Sequence, residues 1–136
     1  MNTLKPVRRI LVVDGEPVAT GALCDLLSMD GYVTVGLCEP DEAVRRLRSE
    51  LFDAVITDVV LPGGHGLEVV RTARELRPDT PVLVVTGQVN SLASEAARSL
   101  GASRVLGKPL RYETLVSVLQ RCLQGGGALP AERGGR

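Results

Sequence analysis

The chain has 136 residues, 44% of them hydrophobic, which suits one domain with a sizeable core and excludes a chain disordered throughout. Sixteen Lys and Arg balance sixteen Asp and Glu, and aromatics make up 2%, so the basic surface and stacking platforms of nucleic-acid binders are both missing. The first apolar run, Ile10-Leu11-Val12-Val13, has the length and β-branching of a strand and ends at Asp14-Gly15-Glu16-Pro17. Pro17 suits a first helical turn. Ala19, Ala22, Leu23, Leu26 and Leu27 follow at helical spacing, and Asp30-Gly31 is a stop. Tyr32 to Leu37 reads as a second strand. Pro40 and Asp41 open a helix with Ala43, Val44, Leu47 and Leu51 on one face. A third strand, Ala54-Val55-Ile56, runs to Thr57-Asp58 and into a loop, Leu61-Pro62-Gly63-Gly64-His65-Gly66. The next helix carries Leu67, Val70, Ala73 and Leu76, and Pro78 ends it. Pro81 to Thr86 is the fourth strand. Leu92, Ala93, Ala96, Ala97 and Leu100 mark a helix that Gly101 caps. Val105-Leu106 is a short fifth strand before Gly107-Lys108-Pro109, and Leu115, Val118, Leu119, Cys122 and Leu123 lie on a last helix.

From residue 125 the composition turns glycine-rich, so residues 7–124 read as the domain and 125–136 as a flexible tail or linker. Cys24, Cys38 and Cys122 are odd in number, far apart and without a CxxC pair. That pattern argues for free thiols in a reducing cytosol rather than a disulfide framework or a zinc site. Met1 to Arg9 has no apolar h-region, and no apolar run reaches the roughly 18 residues of a membrane span. The expected location is therefore cytoplasmic, with no membrane contact.

Five strands alternating with five helices predict an α/β fold with a parallel sheet buried on both faces. Ligands of such sheets bind beyond the carboxyl ends of the strands. Asp14 follows strand one, Asp58 strand three and Lys108 strand five, and Thr86 ends strand four, all at that edge. Two carboxylates side by side repel unless a cation lies between them. Mg²⁺ suits the pair, since it takes oxygen ligands and shares them with phosphate oxygens. Lys108 and Thr86 supply a positive charge and a donor for phosphoryl oxygens. The chemistry implied is phosphoryl transfer to or from a carboxylate.

Four segments occur in order: ILVVDGEP at 10–17, VITDVVLPGGHG at 55–66, PVLVVTG at 81–87 and GKPL at 107–110. Together the sequence resembles the receiver domains of two-component response regulators over about residues 7–123. The resemblance implies a doubly wound, flavodoxin-like sheet in the order 2-1-3-4-5. It implies that Asp58 is the phosphoacceptor, charged by a histidine kinase or phosphotransfer protein, and that Thr86, Lys108 and the Gly87 backbone contact the phosphoryl group. It implies Mg²⁺ on Asp14, Asp58 and the Val60 carbonyl, with Glu16 a further candidate ligand. Pro62 and Gly66 match the family's loop after the acceptor strand. An output partner or domain is expected on helix 4, strand 5 and helix 5, with no direct nucleic-acid contact by this domain. The chain would then be a phosphorelay module and not a metabolic enzyme.

Three positions depart from the family pattern. Gly15 replaces the second of two adjacent acids, a direct metal ligand, so weakened Mg²⁺ binding is expected. Val105 stands where an aromatic switch residue is usual. Arg111 lies near a place that is often acidic. Gly15 and Val105 motivate an alternative of another class, a pseudo-receiver that works by protein contacts or dimerisation without phosphorylation. His65, the single histidine, reads as an exposed loop residue. Other catalytic classes lack their motifs: there is no G-x-x-x-x-G-K-[ST] loop, no G-x-S-x-G elbow and no D-x-D after a strand. The acidic loop after strand one also argues against flavin.

Overall fold

The computed structural model describes residues 6–61, 63 and 66–125. Its elements alternate as β1 (Arg9–Val13), α1 (Pro17–Met29), β2 (Val33–Leu37), α2 (Pro40–Ser49), β3 (Ala54–Thr57), α3 (Gly66–Leu76), β4 (Val82–Thr86), α4 (Leu92–Leu100), β5 (Arg104–Gly107) and α5 (Tyr112–Gly125). All pairings are parallel, in the order β2-β1-β3-β4-β5. The predicted fold class and strand order are thus observed, and the elements agree with their predicted positions to within a few residues. Pro62, Gly64, His65 and the glycine-rich stretch 126–136 lie outside the described residues.

Strand alternation sorts the side chains into two cores. Ile10, Val12, Ala54, Ile56 and Leu83 face one side, where Leu27 of α1 and Leu115, Val118, Leu119 and Cys122 of α5 cover them. Leu11, Val13, Val55, Val82 and Val84 face the other, under Ala43 and Leu47 of α2, Val69, Val70 and Ala73 of α3, and Ala97 of α4. Ile10 to Val13 are all at most 1% exposed. Each such aliphatic contributes about 1.5–3 kcal/mol of burial, and double coverage explains why the strands read as continuous apolar runs.

Helix spacing located the helices but not always their buried faces. In α1 only Thr20 and Leu27 are fully buried; Ala19, Ala22 and Leu26 are exposed. The α1 apolar residues cover too wide an arc to choose a side, and β2 chooses it by close approach. A Cβ on Gly36 of β2 would lie 2.7 Å from Thr20 Cγ2 and 2.9 Å from Cys24 Sγ. Leu51, expected on the α2 face, lies beyond the helix end and is 60% exposed. Leu92 at the start of α4 is 88% exposed, while Ser94 and Ala97 face inward. Gly101 caps α4 as expected, at φ 106°, a left-handed value that disfavours any residue with a Cβ. Gly66 opens α3 directly against the backbone of Val59: a Cβ there would lie 2.6 Å from the Val59 carbonyl carbon and 2.7 Å from its Cα.

Candidate functional site

Sheet hydrogen bonding continues one residue past the strand ends, and this continuation builds the site. The Asp14 N–H donates to the Leu37 carbonyl at 3.1 Å, the Asp58 N–H to Val13 at 3.0 Å, and the Lys108 N–H to Thr86 at 2.9 Å. Each residue is thereby fixed beside the last residue of the neighbouring strand. Because Val13 pairs with Thr57 in register, Asp14 and Asp58 emerge as neighbours. Parallel strands lie about 4.8 Å apart, so the two carboxylates are within reach of one cation.

That cation is the Lys108 ammonium. Its Nζ lies 2.8 Å from Asp14 Oδ2 and 3.0 Å from Asp58 Oδ2. Burial pulls the pKa of Lys108 down, but its hydrogen bonds to Asp14 and Asp58 outweigh this, and the net shift is upward. The lysine therefore stays charged at neutral pH. The other carboxylate oxygens face the backbone: Asp14 Oδ1 accepts from the Glu16 N–H and Asp58 Oδ1 from the Val60 N–H, both at 3.0 Å. These short loops hold the acids in one orientation. Asp58 is 8% exposed and Thr86 is fully buried.

All the residues proposed from sequence meet at one open cavity of about 610 Å³: Asp14, Glu16, Asp58, Val60, Thr86, Gly87 and Lys108, with Gly15, Ala19 and Gln88. Nothing lies within 4 Å of a Cβ built on Gly87, so the backbone there is open to a ligand. Glu16 is exposed, and Gly15 has no side chain to offer a cation. Val105 is half-buried against the α2–α4 side of the core, and Arg111 is exposed just before α5.

Sequence reasoning missed Thr20. Its hydroxyl lies 2.9 Å from the Asp14 carbonyl and 3.0 Å from the Glu16 carbonyl, pinning α1 to the loop that carries Asp14. The only signal was a polar residue among α1's apolar ones.

The cavity is lined by three carboxylates, those of Asp14, Asp58 and the exposed Glu16, and by the Lys108 ammonium; the paired oxygens of Asp14 and Asp58 suit a hard divalent cation such as Mg²⁺. The fit is incomplete. Among the described residues no group of three or more His, Cys, Asp or Glu is placed to hold a metal. Gly15 lines the same cavity and adds no carboxylate to it.

The description "Response regulator receiver domain" matches residues 10–120. The chain belongs to that family. The transcriptional regulatory protein TcrA of Mycobacterium tuberculosis is 35% identical over 122 residues, covering 90% of this chain and 48% of TcrA. This receiver therefore spans about half the length of the curated relatives it matches. A Burkholderia pseudomallei response regulator, solved with a phosphorylated aspartic acid, calcium ion and citrate, is 29% identical. It aligns at a TM-score of 0.78 over 87% of this chain and 69% of that one. The receiver domain of a sensor histidine kinase from Pseudomonas aeruginosa, solved with a magnesium ion coordinated in the active site cleft, is 25% identical. It aligns at a TM-score of 0.79 over 88% of this chain and 99% of that one. The receiver is a signalling module of two-component systems. No helix among the described residues is long and apolar enough to cross a membrane.

Proposed function

We propose that this receiver accepts a phosphoryl group on Asp58 from a histidine kinase or phosphotransfer protein and changes its protein contacts in response. One observation carries the reading: the Lys108 ammonium bridges Asp58 and Asp14 at the mouth of a cavity that Thr86 also lines. An incoming phosphoryl group exchanges for a carboxylate as the partner of Lys108. Thr86 turns its hydroxyl, and Gly87 its N–H, toward the phosphoryl oxygens. Asp14, Asp58 and the Val60 carbonyl are the groups that would hold Mg²⁺, which would offset the negative charge gathered there. Incubation with acetyl phosphate and Mg²⁺ should add one phosphoryl group, read by intact mass and released at alkaline pH; an unmodified chain overturns the proposal.

A module that works without phosphorylation needs none of these side chains in one cavity, and their convergence argues against it. The proposed output surface is α4, β5 and α5, acting on another segment or another protein.

Gly15 sets the expected metal response. Gly15→Asp adds a ligand and a full negative charge beside Asp14 and Asp58. At an effective dielectric of about 20, unit charges about 4 Å apart interact by roughly 4 kcal/mol before desolvation, an upper bound because water fills vacant coordination places. Metal-free Gly15→Asp should melt lower than wild type, from repulsion among three acids. The upward shift of its Tm on adding Mg²⁺ should be larger. Paired melting curves check this, and an equal Mg²⁺ increment in both proteins would mean that Glu16 already serves.

Thr86→Ala should weaken the response without abolishing acceptance on Asp58. Amide shifts across residues 86–110 on adding beryllofluoride are the measure. Identical shifts in wild type and variant would remove Thr86 from the switch.

A further inference from the structure

Ser94 is fully buried in the first turn of α4. A buried hydroxyl is costly unless it is hydrogen-bonded. This one is 2.6 Å from the carbonyl of Gln88, to which it donates, and that carbonyl also accepts the Ser91 N–H at 3.1 Å. The Ser91 side chain caps α4 by accepting the Ser94 N–H at 3.1 Å, and its hydroxyl donates to Ser94 Oγ at 3.3 Å. The other side of Gln88 faces the site: its N–H donates to Thr86 Oγ1 at 3.3 Å. One turn further along α4, Arg98 donates to the Val89 carbonyl at 3.3 Å. The loop after β4 is thus laced to α4, with the backbone of Gln88 held by Thr86 on one side and by Ser94 on the other.

We propose that Ser94 is a positioning residue of the switch: its hydroxyl ties the Thr86–Gln88 contact to α4, so that a movement of Thr86 is carried into the helix. The proposal rests on the phosphoryl reading of Asp58 and Thr86. When the Thr86 hydroxyl turns toward a phosphoryl oxygen, it gives up the Gln88 N–H. With the Gln88 carbonyl gripped by two donors from α4, that residue moves with the first turn of the helix. Without the Ser94 hydroxyl, Ser91 alone holds the carbonyl, and Gln88 can turn by itself while α4 stays still. Val105 bears no aromatic ring, so that position of β5 offers no ring to carry the same movement.

The experiment is an amide NMR comparison of wild type, Ser94→Ala, Thr86→Ala and the double variant, each with Mg²⁺ before and after beryllofluoride. Wild type should shift both at Asp58–Leu61 and along Leu92–Leu100. Ser94→Ala should keep the shifts at Asp58–Leu61, keep its rate of phosphoryl uptake from acetyl phosphate, and lose the α4 shifts. In the Thr86→Ala background, Ser94→Ala should remove nothing more. A serine that merely stabilised the helix would alter α4 in the free protein and leave its response intact. An undiminished α4 response in Ser94→Ala, or a wild type that responds at Asp58 and not in α4, overturns the role of Ser94 alone. A wild type with no change around Asp58 overturns the phosphoacceptor reading, and this inference with it.

Discussion

Asp58→Asn should take up no phosphoryl group from acetyl phosphate, whereas wild type should take up one. The substitution is close to isosteric. Its side-chain oxygen can still accept the Val60 N–H, and Lys108 still has Asp14. The fold should survive, and only the nucleophile is lost. In the reaction a carboxylate oxygen of Asp58 forms a bond to phosphorus, the bond from phosphorus to the acetyl oxygen breaks, and acetate leaves with the electron pair. Strand order explains why Asp58 and not Asp14 is expected to react. Asp58 follows β3, which pairs with β4, the strand that ends in Thr86. Asp14 follows β1, a strand further away, or about 4.8 Å. A phosphoryl group on Asp14 would have Lys108 but not Thr86 as a partner. Intact mass before and after the reaction, with peptide mapping of the wild-type adduct, is the measurement. An adduct on Asp58→Asn, or one mapped to another residue, defeats the assignment.

Gly66→Ala should lower the melting temperature by roughly 10 °C, a cost of about 2–3 kcal/mol from forced overpacking. Helix propensity alone predicts the opposite sign, since alanine is favoured over glycine in a helix by about 1 kcal/mol. The reason for reversal is steric. A methyl at position 66 meets the backbone of Val59, including its carbonyl oxygen, and backbone cannot rotate aside as a side-chain tip can. Gly21 is the internal control. It lies inside α1, has nothing within 4 Å of a built Cβ and is exposed. Gly21→Ala should therefore raise stability by up to ~1 kcal/mol. Thermal melts of the two variants decide the matter. A neutral or stabilising Gly66→Ala would mean that Val59 yields at little cost, and the loop after Asp58 with it.

The site was legible because each of its residues sits where a strand must end. Periodicity locates strand ends, and parallel pairing brings them to one edge, so Asp14, Asp58, Thr86 and Lys108 could be gathered without knowing any distance. The strand order was carried by family resemblance, because alternation alone admits several orders. What stayed hidden depends on contacts that spacing does not encode. Ser94 looks like one more small residue in an Ala- and Ser-rich helix until the loop after β4 folds back onto it. Gly36 reads only as part of a strand and Gly66 as part of a loop, yet both mark places where chain meets chain too closely for a Cβ. The buried side of α1 was undecidable for a related reason: its apolar residues spread too widely, and β2 selected the face. Of the ion cluster at the opposite edge of the sheet, spacing encodes only the Arg46–Glu50 pair, four residues apart; Arg9 joins it through the fold. There Glu50 pairs with Arg46 and Arg9, which hold its carboxyl down to about 2.

The ladder bonds of Asp14, Asp58 and Lys108 have a consequence for how the molecule fluctuates. The Asp14 and Asp58 amides can reach solvent only if β1 parts from β2 or from β3, so their exchange should follow opening of the sheet, the slowest event available. Gln88 is exposed and held at its N–H by a single contact to a side-chain hydroxyl, so it should exchange through small local openings. The acids that would do the chemistry are thus tied by backbone to the sheet itself, whereas the Gln88 N–H is tied to it through the Thr86 hydroxyl, a contact that one side-chain rotation can break.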